Sequence, residues 1–141
     1  MGFSLKNILK SAKKVQNQNI LEAIIAAGLL ISASDGDIGK DETSKLEKLL
    51  ANNDSLSSFK PSEVRKIIDK YSGILEADFR VGKLKLLKEI GDISDDADQS
   101  EEVFVNALAI AEASGDIDEK ELAILKEIGR TLGVNLGTYG L

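Results

Sequence analysis

The sequence predicts an all-α fold, a compact bundle of about seven helices. Three observations carry that prediction. Apolar residues recur at helical spacing along most of the chain, no segment sustains the period-two alternation of a strand, and Gly, Asn, Asp and the lone proline fall between the periodic segments. At 141 residues the chain fits one domain. A domain of that size buries roughly 68% of its unfolded surface and sustains its own core. Apolar residues make up 43% of the chain but aromatics only 4%, with no Trp, so the core has to be aliphatic.

The first periodic segment covers residues 3–16. Leu5, Ile8, Leu9, Ala12 and Val15 share one helical face, with Lys6, Lys10, Lys13 and Lys14 around it. Two readings stay open: a helix packed on the body, or a basic amphipathic helix that meets a membrane surface or a partner. The expected organisation is residues 1–17 as this arm, packed on the body, and residues 18–141 as a single helical domain. Residues 18–34 form the next helix, apolar on nearly every side and therefore central. The turn "SDGDIG" breaks it. A helix over about 40–52 follows, with Leu46, Leu49 and Leu50 inward, and "NNDS" ends it. Pro61 suits the first turn of a helix that runs to about 77. Another covers about 79–91, with Val81, Leu84, Leu86, Leu87 and Ile90 inward. The acidic stretch "DISDDADQSEE" reads as a solvated loop feeding a helix start, where Asp98 and Glu101 have capping-box spacing, with a cation-binding patch as the alternative. The last two helices are expected at about 101–114 and 118–132, with Gly133 as a left-handed cap.

A shift of 79 residues aligns the second and third of these helices with the last two. Ile24 meets Val103, Leu29 meets Leu108, and Gly36-Asp37-Ile38 meets Gly115-Asp116-Ile117. Such repeats imply similar supersecondary units. The expectation is an internal pseudo-two-fold repeat of helical hairpins, about 20–52 and 99–131. Each Ile of the turn should point into the core, with the acids directed outward.

Charge is uneven. The net charge is −6, yet residues 1–20 carry four lysines and no acid, leaving 14 bases against 24 acids in the remainder. A body of that sign repels phosphates, so no nucleic-acid partner is expected. The longest apolar stretch, "AIIAAGLLISA" at 23–33, is too short to span a bilayer. No secretory signal is expected, and the absence of Cys fits a cytoplasmic location.

Asp35, Asp37 and Glu42 lie within eight residues, and Asp116, Asp118 and Glu121 repeat much of that set. Carboxylates are hard ligands suited to Ca²⁺, Mg²⁺ or Mn²⁺. Zinc is not expected, because the chain has neither His nor Cys. The turns do not follow the EF-hand pattern: counting from Asp35 puts Lys40 where that loop needs Gly. The same residues also serve as helix caps, with Asp118 and Glu121 as a capping box and Glu42 near a helix dipole. Capping leaves the surplus of carboxylates without a local base unexplained. Catalysis is not expected, since triads, thiol nucleophiles and imidazole bases all need residues this chain lacks.

The paired acidic turns, the segment "FKPSEV" and the ending "IGRTLGVNLGTYGL" together resemble the tellurite-resistance protein TerB family. The resemblance covers nearly the whole chain, including the basic arm. It implies an all-helical fold of about seven helices and a role in tellurite resistance and stress response. It implies partners, a TerC-like membrane protein and calcium-binding TerD-like proteins, in assemblies near the inner membrane. It also implies metal ligands at the acidic turns, which here are Asp35, Asp37, Glu42, Asp116 and Glu121. The second turn departs from the first by placing Ser114 where the first has Asp35, which removes one ligand. Tellurite reacts with thiols and this acidic chain has none, so any resistance it confers is indirect.

Overall fold

A computed structural model describes residue 15, residues 17–113 and residues 115–141. The arm expected over residues 1–17 lies almost wholly outside the described residues. Among those described there are six α-helices and no strand. They are α1 (Gln18–Ser32), α2 (Lys40–Ala51), α3 (Pro61–Ala77), α4 (Phe79–Gly91), α5 (Ala97–Ala113) and α6 (Glu119–Leu132). Short 3₁₀ turns sit at Asp54–Leu56 and Leu136–Tyr139. The fold is the all-helical bundle that the periodicity predicts.

Helix α1 is the axis of the bundle. The Asn17 side chain starts it by accepting from the Asn19 N–H at 2.7 Å. Its run from Ala23 to Ile31 is buried on every side, and it touches each of the other five helices. Two neighbours crowd it at Gly28. A Cβ there would lie 2.8 Å from a Leu46 methyl of α2 and 3.1 Å from an Ile110 methyl of α5. Any larger residue there would have to displace those methyl groups, so glycine favours the close approach of both hairpins to α1.

The remaining helices start and stop for local reasons. Pro61 opens α3 and the Glu63 carboxylate accepts from the Lys60 N–H at 3.2 Å. Asp78 ends α3 and caps α4, accepting from the Val81 N–H at 3.0 Å. Gly133 ends α6 at φ 76°, the expected left-handed cap. Buried Asn106 of α5 accepts from the Asn53 amide at 2.6 Å, which ties the loop after α2 to α5. Val15 is tied to the same loop. Its N–H donates to the Ser55 carbonyl at 2.7 Å, and its carbonyl accepts from the Ser58 hydroxyl at 2.6 Å.

Two details differ from the sequence expectation. Helix α5 begins at Ala97, four residues early, because Asp96 caps it by accepting from the Asp98 and Gln99 N–H groups at 3.0 and 3.1 Å. Glu101 is therefore not the partner in a box with Asp98; it accepts from the Tyr139 hydroxyl instead. Also, Val81 and Leu84 of α4 face solvent rather than the core.

Candidate functional site

The two acidic turns reverse the chain in the same way. Gly36 and Gly115 take φ of +92° and +111°, a region L side chains rarely adopt. In the first turn the Asp35 carboxylate accepts from the Asp37 N–H at 3.2 Å, and the Glu42 carboxylate accepts from the Gly39 N–H at 3.0 Å. In the second, Asp118 accepts from the Glu121 N–H at 2.7 Å while Glu121 accepts from the Asp118 N–H at 3.2 Å, a complete capping box. Ile38 is buried and Ile117 is half-buried against the core, so each pins its turn from below.

These turns meet along one furrow of about 560 Å³. Its floor is apolar: Ile31 from α1, Leu46 and Leu49 from α2, and Ile110 from α5. Its rim carries Asp35 and Glu42 from the first hairpin and Asp118 and Glu121 from the second, with Lys45 and Lys48 on the α2 side. The Gly28 contact positions this furrow, since it brings Leu46 and Ile110 together over α1.

Of the residues expected to ligate a metal, Asp35, Glu42 and Glu121 line the furrow. Asp37 and Asp116 are exposed and are not among its lining residues. Asp118, which the sequence groups with Asp116 and Glu121, lines the furrow as well. The signal for it was present in the sequence as the capping-box spacing to Glu121. The lysines and the apolar floor carried no such signal, because they come together only through the α2–α5 approach.

The donor set is chemically suited to a hard cation, being all carboxylate. The geometry is looser. Among the described residues no three such side chains converge into a group able to hold an ion. Three of the four rim carboxylates also accept from backbone N–H groups at helix starts. The site is thus an acid-rimmed apolar furrow and not a closed cage. A strong electrostatic perturbation occurs elsewhere: burial pushes the Tyr71 phenol up, with Glu22 and Glu89 adding to it, and Tyr71 is not part of the furrow. No described helix is long and apolar enough to cross a membrane.

Fold and site together define an all-α domain in which two helical hairpins share one acid-rimmed furrow. The family model described as "Tellurite resistance protein TerB" matches residues 21–139, and the chain belongs to that family. No curated protein and no solved structure matches it.

Proposed function

We propose that the chain is a non-enzymatic adaptor and metal-sensing domain of a tellurite-resistance and stress-response system, working through the furrow. One observation carries the reading: carboxylates of both turns line the same furrow over a common apolar floor. A hard divalent cation, Ca²⁺, Mg²⁺ or Mn²⁺, is held there by Asp35 and Glu42 with Asp118 and Glu121, and Asp37 and Asp116 lie one step outside. The cation relieves the repulsion among clustered acids and sets the charge that a partner meets. The family resemblance supports, as partners, a TerC-like membrane protein and TerD-like proteins. Lys6, Lys10, Lys13 and Lys14 would bring the domain to the anionic inner surface of the membrane from the cytoplasm.

Isothermal titration with each of the three cations tests the reading. The expected result is saturable heat in the wild type and weaker affinity in Asp35→Asn and Glu121→Gln. At 100 times the dissociation constant the ion should add about 2.7 kcal/mol of stability. No heat at millimolar ion, with an unchanged melting temperature, removes the cation from the account.

The second reading is a metal-free scaffold that recruits proteins through the same furrow. It is favoured by a specific observation: Glu42, Asp118 and Glu121 already satisfy backbone donors at helix starts. In that case partner capture is the same in EDTA as in millimolar cation, whereas the cation reading expects EDTA to weaken it.

A further inference from the structure

Helix α4 presents to solvent a stripe that the bundle does not use. Among the described residues, Val81 and Leu84 are the exposed large hydrophobics, at 48% and 68%. With Lys85 and Lys88, both exposed, they fall at i, i+3, i+4 and i+7, a single helical face. Arg80 is exposed beside them, and Lys70 of α3 joins Val81 and Lys85 around a shallow hollow. Lys83 points elsewhere, into an ion pair with Glu127 of α6 at 3.2 Å. The acids of the same helix region are Asp78, engaged as the α4 cap, Glu89, and the exposed C-cap Asp92 just beyond Lys88. The stripe is basic and apolar on a chain whose net charge is −6.

The furrow is its complement. It offers an apolar floor and a rim on which four carboxylates outnumber two lysines, Lys45 and Lys48, and no α4 residue lines it. We propose that the α4 stripe of one chain docks in the furrow of a second copy, with Leu84 over the floor and Lys85 and Lys88 beside the carboxylates. This rests on the furrow being the working surface, though it needs no cation. A hard cation in the furrow would compete with the lysines for the same oxygens.

The physics sets the character of the contact. The rest of each acidic body repels its neighbour, so attraction is confined to the matched faces and is weakened by salt. One helical stripe covers less than the roughly 1,000 Å² expected of a stable interface, so association is reversible and needs high concentration. Because the two faces differ, the contact is head-to-tail and does not close at two chains.

Sedimentation velocity of the full chain, in low salt with EDTA, tests the proposal. The wild type should show an average mass that climbs with concentration past two chains, and added salt should reverse the climb. Leu84→Asp disables the stripe, and Ala113→Arg, at an exposed position of the furrow, disables the other face. Each variant alone should stay monomeric with its helical circular dichroism intact. An equimolar mixture should form heterodimers and stop there, since each chain keeps one good face. A wild type that remains monomeric at every concentration overturns the proposal, as does assembly that survives either substitution or a mixture that forms no dimer. Flotation of a monomeric wild type with anionic vesicles, lost in Leu84→Asp, overturns it in favour of a lipid surface. Displacement of the second copy by a synthetic peptide of residues 1–17 supports the furrow's basic-apolar preference. Assembly gained by charge-reversing the four arm lysines in an otherwise monomeric chain overturns the proposal, because the arm then owns the furrow. Because EDTA is present throughout, a failed calorimetric titration and a failed assembly remain separate results.

Discussion

Helix α2 starts at Gly39, which has no side chain to cap with, and only Glu42 reaches back to the backbone. Helix α6 starts at Asp118, and there Asp118 and Glu121 each satisfy the other's backbone N–H. Both turns use a glycine at positive φ and an isoleucine underneath, yet they distribute their acids differently. The second turn commits two carboxylates to holding its helix. The first commits one to the helix and one, Asp35, to the turn itself. The repeat keeps the chain reversal while the hydrogen bonds that support it differ.

The isoleucines should separate the two turns most strongly. Ile38 is buried at 7% exposure while Ile117 is half-buried, so Ile38→Ala should cost roughly 2–4 kcal/mol and Ile117→Ala about half that. Urea unfolding would measure both, and equal losses would break the asymmetry. The glycines should instead behave alike. Nothing stands within 4 Å of a Cβ at Gly36 or Gly115, so alanine at either meets only the backbone penalty, about 1–2 kcal/mol. A large difference between them would show that the reversals are not equivalent after all.

The caps come next in size. Asp118→Ala should lower stability by about 1 kcal/mol, and Asp35→Ala by less, because Asp35 holds a turn and not a helix start. Thermal melts of both variants sharpen the comparison, and a larger loss at Asp35 reverses it. The smallest effect concerns the third acidic stretch. Glu101 sits under Tyr139, and burial, with Asp98 adding, raises its carboxyl above the usual range. A carboxyl raised on folding contributes stability that is fully present below its unfolded pKa and is lost as pH rises through the folded one. Glu101→Gln should therefore match or exceed the wild type near neutrality and fall behind it as pH drops through the carboxylate range. Urea midpoints across that range would show it, and a constant gap between the two proteins would contradict the assignment.

The sequence revealed the helices because each carries its own apolar period and its own punctuation. Pro61, Asp78 and Gly133 act within a few residues of where they sit, so their effects were legible. The start of α5 was misplaced because several acids compete to cap it, and only the backbone path shows that Asp96 wins. The outward face of α4 was misread for a related reason. Its apolar residues surround the helix, and the packing of α1, α3 and α6 decides which of them are covered. The candidate site was half legible. Asp35, Glu42, Asp118 and Glu121 follow from the repeated turns and their capping-box spacing, whereas Lys45, Lys48 and the apolar floor depend on α2 and α5 meeting over Gly28.

The central claim is that two separated turns act as one binding surface. Titration of ¹⁵N-labelled protein with Mn²⁺, whose unpaired electrons broaden nearby amide signals, tests it most directly. The account predicts that amides around Asp35, Glu42, Asp118 and Glu121 broaden together at the same low ion ratio, ahead of those around Asp92–Asp98. Broadening confined to one turn, or spread evenly over every acidic segment, would contradict it.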